Sequence, residues 1–395
     1  MKNATFKFAA LAFMIGVSSA VIAQTNSINV VTSAVPFLRI SPDARSGGMG
    51  DVGIATAPDA NSSFWNQGKI PFAVSKAAIA VTYTPWLKGL DLNDVYLASL
   101  AGYYQLDELQ AVSGSLRYFS LGNIQFTDAY GNDLNTFRPR EFSIDAGYSR
   151  KLSDNLGVGI ALRYINSSLA SGTYGGQSYK PGSAVCADLS IFHDGTAAST
   201  GSGFSWGATL TNLGSKISYS NDATQKDYIP ANLGLGIAYT KVFDETSKAT
   251  FGLDVNKLLV PTPPLFSDNG STAEDSMKLD KYRNQGVVSS WLNSFGDAPG
   301  GFGEEVKEFQ ISAGAEYIYN NQFALRAGYF YEAPTKGDRK YFTLGVGLNY
   351  NMFGLNFSYL IPSGNGVNRN PLSNTLRFSL IFNLDSETNI SSPAQ

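Results

Sequence analysis

Charge is what this chain most lacks. Asp, Glu, Lys and Arg make up 15% of its 395 residues, against about 25% in an ordinary soluble domain. It has one cysteine, Cys186, and one histidine, His193. A single cysteine excludes an intrachain disulfide and any cysteine metal cluster. A single histidine removes most hydrolase and zinc chemistry before any motif is read. The formal net charge of −3 and the pI near 5.3 leave no basic footprint for a nucleic acid. Beyond residue 24 no apolar run approaches the roughly 18 residues of a transmembrane helix.

What is present fills those gaps in one direction. The chain has 40 glycines, 21 tyrosines and 25 phenylalanines, with a mean hydropathy of only −0.09. Few charges with many aromatics and glycines suit a membrane β-barrel, whose strands show lipid one face and water the other. At the start, Lys2 and Lys7 precede a short apolar core from Phe8 to Val17, and Val21 and Ala23 stand at small-residue positions. This is the pattern of a signal peptide, 1–23, cleaved after Ala23. The apolar core is too short for an anchor, and Cys186 is too distant for a lipoprotein signal. The mature chain is therefore expected to be exported.

Alternation decides its destination. Leu156, Val158, Ile160, Leu162 and Tyr164 share one face of a strand, against Gly157, Gly159, Ala161 and Arg163. Phe142, Ile144, Ala146 and Tyr148 repeat the pattern, as do Phe342, Leu344, Val346, Leu348 and Tyr350, and Leu376, Phe378, Leu380 and Phe382. Counting every such run predicts about 14 strands between residues 75 and 384, an even number as a single-chain bacterial barrel requires. A soluble β-sandwich would have shorter strands and more charge on its outer faces. Connections alternate in length. Short turns such as "LSDN", "DETS" and "YNN" face long loops at 120–138, 167–182, 213–229, 258–307 and 363–373. Long loops are external in such barrels, which places both chain termini in the periplasm.

Charges within the strands fall on the glycine face. Arg117, Asp145, Arg163, Asp188, Asp254, Glu316, Arg326 and Arg377 all have inward parity, four of each sign. Two readings stand: a solvated lumen, or a neutral network gripping a plug. Residues 24–74 are the plug candidate, since they precede the first strand and lack its alternation. They hold "SPDARSGGMGDVGIATAPDANSSFWNQGK", Ser41 to Lys69, with Gly47, Gly48, Gly50 and Gly53 allowing close backbone approach. No GK[ST] ending follows, so a phosphate loop is a poor reading. A hatch anchored by Phe64 and Trp65 is the better one.

At these residues a resemblance appears. "SPDARSGGMGDVGIATAPDANSSFWN" resembles the amino-terminal segment of the PorV family of the type IX secretion system, a branch of the FadL-like outer-membrane barrels. "LDVNKLLVPTPP" at 253–264, "SFGDAPGGFGEEVKEF" at 294–309, "GAEYIYNNQFALRAGYFYE" at 314–332, "KYFTLGVGLNYN" at 340–351 and "LSNTLRFSLIFN" at 372–383 extend it over almost the whole mature chain. One departure is "WNQGK" at 65–69, where the family has a proline and alanine after the asparagine. The resemblance implies a 14-stranded barrel in the outer membrane of Bacteroidota, without cofactor or catalysis. It also implies a shuttle. Such a protein engages cargo by a C-terminal signal domain at the translocon subunit, closes that translocon's lateral opening, and delivers cargo to a sortase in an attachment complex. The alternative is a FadL-like transporter for hydrophobic small molecules.

An enzyme is the third class, and nothing favours it. His193 follows a downward strand and reads as a surface turn residue, and Cys186 as a small packing residue. Asp268, Glu274, Asp275 and Asp280 lack calcium-loop spacing and read as a solvated face. The remaining candidate is loop 258–307, too long to be structureless by chance. Val287, Val288, Trp291, Leu292 and Phe295 fall at helical spacing, "DAPGG" at 297–301 ends that helix, and Glu304 to Phe309 predicts a short second turn. The stripe is either a lid on the barrel mouth or a platform for cargo or the sortase. The expected architecture is thus all-β: a signal peptide (1–23), a hatch (24–74), a transmembrane antiparallel barrel in outer-membrane lipid (75–384) with short helices in one external loop, and a tail (385–395).

Overall fold

The computed structural model describes residues 28–384, apart from 88–91, 93, 128–129, 171, 175–176, 222–225, 267–272 and 364–374. The expected leader, the first residues of the expected hatch, Asp268 and the expected tail lie outside the described residues.

In chain order the strands are β1 (Ala77–Pro85), β2 (Val95–Gln105), β3 (Gln110–Leu121), β4 (Ile124–Thr127), β5 (Asp133–Phe137) and β6 (Arg140–Lys151). Then come β7 (Leu156–Ser168), β8 (Gly172–Tyr174), β9 (Gln177–Tyr179), β10 (Gly182–His193), β11 (Gly203–Gly214) and β12 (Asn232–Val242). The last are β13 (Ser247–Leu258), β14 (Gln310–Tyr319), β15 (Phe323–Tyr331), β16 (Lys340–Tyr350), β17 (Phe353–Pro362) and β18 (Leu376–Leu384). Fourteen of them close into one antiparallel barrel, in which each strand pairs with its chain neighbours and β18 returns to β1. Closure runs from Ala77 opposite Leu384 to Tyr83 opposite Phe378. The other four form two hairpins inside long loops, β4–β5 and β8–β9, which alternation did not announce.

Period-2 burial explains why these segments are strands of a membrane wall. In β7, Ile160, Leu162 and Tyr164 are exposed on the outside while Ala161, Arg163 and Ile165 are buried within. The same register puts Leu344, Val346 and Leu348 outside in β16, and Phe378 and Leu380 outside in β18. Short connections use residues that tolerate positive φ. Asn320 and Asn321 turn β14 into β15 at φ 53° and 52°, and Asn351 turns β16 into β17 at φ 52°. The wall has one irregularity, a bulge where Ala187 and Leu189 of β10 face Leu213 and Leu210 of β11. Asn212 takes up the extra residue with φ 58°, and that turns its side chain into the lumen.

Two departures concern the N-terminal segment and the long loop. Val35, Phe37 and Leu38 pack with Trp86, Val95, Leu97, Phe119, Ile165, Ile217 and Ile229, all at the long-loop end of the barrel. Ala60 and Ile70 pack with Ala78, Tyr103, Ala111 and Ile381 at the short-turn end. The segment before β1 therefore runs through the barrel, and the described chain begins at the long-loop end. Alternation did not foresee that course, because it says nothing about a segment that lacks it; the expected periplasmic termini themselves lie outside the described residues. In the long loop, Ala273–Asn284 is a helix and Asp275 is buried at 3% exposure. The acidic run is thus only partly solvated. His193 is the last residue of β10 rather than a turn residue, and it stacks on Trp206 with ring centroids 5.7 Å apart.

A closed barrel resists detergent, so the unheated protein should migrate apart from the heated one on gels and give an almost pure β circular dichroism signal. Leu162, 61% exposed at the middle of β7, faces hydrocarbon. Leu162→Arg should therefore lower unfolding free energy in phospholipid vesicles by about 2–4 kcal/mol. An unchanged denaturant midpoint would mean that this face is not in lipid.

Candidate functional site: the lumen charges and the long loop

All eight inward charges are buried: Arg117, Asp145, Arg163, Asp188, Asp254, Glu316, Arg326 and Arg377 are between 0% and 7% exposed. Strand register decides who meets whom. Asp145 lies opposite Arg163 across β6 and β7, and Arg163 binds its carboxylate through Nε. Arg163 also donates to Asp188 of β10 at 2.8 Å and to the Asn212 side chain turned in by the bulge. Arg117 joins this group 3.8 Å from Asp145. Arg163 thus bonds to residues of the wall. A second group forms where Glu316 of β14 faces Arg326 of β15, 2.7 Å apart. Arg326 continues to Asn356 of β17 at 2.8 Å. Asp254 and Arg377 belong to neither group, so the eight charges make two clusters and two separate posts.

The residues that tie the wall to the N-terminal segment were not visible in the strand pattern. Arg45 reaches Glu316 with two bonds, 3.0 and 2.9 Å, and Asp59 with a third at 3.0 Å. Asp254 accepts the backbone N–H groups of Gly53 and Ile54 at 2.7 and 2.9 Å. Asp51 sits 3.5 Å from Arg377 and accepts the Tyr341 hydroxyl at 2.6 Å. The Arg117 guanidinium lies over the Phe64 ring at 4.9 Å, and Trp65 Nε1 donates to Asp43 at 2.7 Å. Within the departing motif, Gln67 donates to Ser113 at 2.5 Å, Gly68 N–H to Ser190 at 2.9 Å, and the buried Lys69 ammonium to the Gly53 carbonyl at 2.6 Å. These partners lie on strands all around the barrel.

The glycines make that approach possible. Gly50 has φ 71°, and any Cβ there would press on the Tyr329 and Ala313 backbones. A Cβ on Gly48 would stand 2.9 Å from the Gly345 Cα of β16. Glycine on both the segment and the wall lets two backbones touch where side chains would hold them apart. Above them, a cavity in the upper lumen has a mixed lining: Arg39, Asp188 and Gln310 on the polar side, Leu38, Ile54 and Trp65 on the apolar side.

The long loop is ordered by a third charge cluster. Lys257 shares the parity of the lipid-facing Phe251 and Leu253, yet its side chain is 0% exposed. The loop folds over it. Glu305 and Glu308 bind its ammonium at 2.7 and 2.6 Å, and the rings of Phe295 and Phe309 stand 5.6 and 5.5 Å away. Lys336 bridges Glu304 and Glu308 at 2.6 and 2.9 Å. Burial pushes the Asp297 carboxyl up, with Glu308 and Glu305 adding to the rise against its Thr262 bonds. Glu304 is held below its ordinary range. Its own burial works against that, but the bonds from Lys336 and the Gly300 N–H outweigh burial. A lysine at lipid-facing parity just before a long acidic loop was the available signal.

The predicted stripe is present, with one change. Val287–Asn293 is helical, so Phe295 lies just beyond its end and turns toward Lys257. Ser290 and Ser294 are buried at 0%, Val287 and Trp291 half-buried, and Val288, Leu292 and Phe295 exposed at 62%, 73% and 48%. Ser290 and Ser294 thus face inward, and Val288 and Leu292 outward. The short second turn expected at Glu304 to Phe309 starts earlier, as a helix at Phe302–Glu305 that leads through a 3-10 turn at Val306–Glu308 into β14.

A closed sheet with an apolar outer belt and a polar, charged interior defines an outer-membrane β-barrel. The sequence matches the family described as type IX secretion system protein PorV over residues 23–265, and the chain belongs to that family. No curated protein matches it. Among solved structures, the Ralstonia pickettii toluene transporter TbuX is similar at 12% identity and TM-score 0.51, over 89% of this chain and 99% of that one. The P. putida toluene transporter TodX is similar at 11% identity and TM-score 0.51, over 89% and 100%. At such identities the likeness is one of fold. A Pseudomonas aeruginosa FadL homologue also matches, at 11% identity and TM-score 0.44, over 91% and 100%.

Removing one partner of a buried pair leaves the other uncompensated. Glu316→Ala leaves Arg326 without its carboxylate and Arg45 with Asp59 alone, and should cost roughly 3–5 kcal/mol in denaturant unfolding. Lys278→Ala breaks only the exposed pair with Glu274 and should stay within about 0.5 kcal/mol. Equal effects from the two would show that the lumen pairs carry no special weight.

Proposed function

We propose that this barrel is the shuttle of the type IX secretion machinery. It binds the C-terminal signal domain of cargo at the translocon subunit and hands the cargo to the cell-surface sortase and attachment complex. Residues 24–74 serve as a standing plug in a barrel of residues 75–384, held by Arg45, Asp51 and the backbone bonds to Asp254. Cargo does not pass through the lumen; it is held outside, on the loops. Family membership supports the secretion role. The observation that carries the loop reading is the helix Val287–Asn293, which buries Ser290 and Ser294 and turns Val288 and Leu292 outward. Exposed apolar residues in a polar rim mark partner sites. The ion pairs beneath hold that stripe in place, so lid and platform describe one structure. No catalytic role is proposed.

The second reading, a FadL-like transporter for hydrophobic small molecules, draws on the toluene transporters that share the fold. The upper lumen cavity has a mixed lining, with Leu38, Ile54, Phe64 and Trp65 beside Arg39, Asp188, Asn212 and Gln310, and the charged groups among them are what weigh against a purely apolar ligand.

Trp291→Ala with Phe295→Ala should leave barrel assembly normal and abolish surface attachment of cargo. Normal attachment in that variant would reduce the stripe to a lid and move the cargo contact to loops 120–138 or 167–182. Wild-type protein in planar bilayers should conduct little, and cells carrying it should not gain uptake of labelled toluene or fatty acid. An open pore or clear uptake would favour transport.

A further inference from the structure

Asn29 is 6% exposed although it stands almost at the start of the described chain. Its backbone N–H donates to the Thr335 carbonyl at 3.1 Å, in the loop between β15 and β16. Its side chain donates to the Pro263 carbonyl at 3.2 Å and to Glu304 at 3.4 Å, both in the loop between β13 and β14. Five residues on, the Ala34 N–H donates to the Tyr228 carbonyl at 2.8 Å, in the loop between β11 and β12. Tyr228 then passes the contact on. Its hydroxyl donates to the Tyr282 and Gln285 carbonyls at 3.1 and 2.8 Å, and Lys216 Nζ donates to the Arg283 carbonyl at 2.7 Å. Val35, Phe37 and Leu38 follow into the apolar cluster at the same mouth. Farther along, the chain descends through Arg45 and Asp51 to Phe72, which meets Phe192 at the short-turn end.

We propose that residues 29–39 are a strap that the chain threads through its own barrel to the cell-surface side, where it clamps three external loops into one layer. The strap donates to one backbone carbonyl on each of the three loops, Thr335, Pro263 and Tyr228, and to the Glu304 side chain on one of them. Those are groups that would otherwise face water, so the layer is held only while the strap is seated. Loop position and plug position are therefore one equilibrium. A strap pulled away from Thr335, Pro263 and Tyr228 frees the loops at one end and slackens the luminal segment at the other. This inference does not depend on the secretion role and would hold in a transporter.

The test uses the full-length barrel, in its native outer membrane for labelling and in detergent for proteolysis. Ile28 is 76% exposed beside the strap, Ser153 is exposed in a short turn, and the natural Cys186 is buried. Ile28→Cys should react with a membrane-impermeant maleimide on intact cells, while Ser153→Cys should react only after the outer membrane is opened. Unsubstituted protein should stay unlabelled. In detergent, Asn29→Ala should keep heat-modifiable migration yet be cut by trypsin near Lys278, Lys281 and Arg283 at least tenfold faster. Phe37→Ala should do the same more strongly; if it fails to assemble, Asn29→Ala alone decides. Labelling of Ile28→Cys only after opening the membrane would overturn the threading. Unchanged trypsin cleavage in folded Asn29→Ala would overturn the clamp. Neither readout involves cargo, so loss of the shuttle reading would leave both intact.

Discussion

Hydrocarbon offers no partner to a backbone amide, and most of this structure follows from that. A chain without a long apolar helix can cross a bilayer only as a sheet with no free edge. Closing fourteen strands satisfies every ladder, but it also encloses a lumen whose walls point inward at every second residue. Those inward positions lie away from lipid and can be polar. They carry the glycines and the eight charges, and buried charges need partners. Register supplies some of them, as where Glu316 falls opposite Arg326. The N-terminal segment supplies the rest, through Arg45, Asp51 and the Gly53 and Ile54 amides.

The same need for partners shapes the long loop. Lys257 stands where the wall turns outward near the rim, a poor place for an ammonium. Glu305 and Glu308 cover it, and their helix is drawn down with them. The apolar stripe at 287–293 is displayed because the loop's polar groups are used beneath it. Display of this surface and stability of the loop are therefore linked through one buried lysine, and through the bonds of Asn29 on the other side.

The chain shares its barrel fold with toluene transporters at 11–12% identity. A shared barrel says that both solve the same backbone problem. What each does depends on what fills the space inside and what the loops present outside. Here the space is crossed by ion pairs, and the long loop, apart from the lipid-facing belt, exposes Val288 and Leu292.

How much of this was legible in the residues is clear from particular cases. Leu156 to Tyr164 reads as a strand because every second residue must meet lipid, and the same rule yields fourteen strands, their turns and the inward parity of Arg163. The stripe at Val287, Val288, Trp291 and Leu292 is legible because a helix repeats every 3.6 residues. Phe295 escapes that rule because the helix stops at Asn293. Arg45, Asp51 and Asn29 were not legible at all. Their partners lie hundreds of residues away, at Glu316, Arg377 and Thr335, and no local period encodes a contact of that range. The sequence by itself thus determined the wall, since lipid imposes a period on it. Only the tertiary structure decided the route of the segment inside and the clustering of the charges, because those depend on which side chains closure brings together.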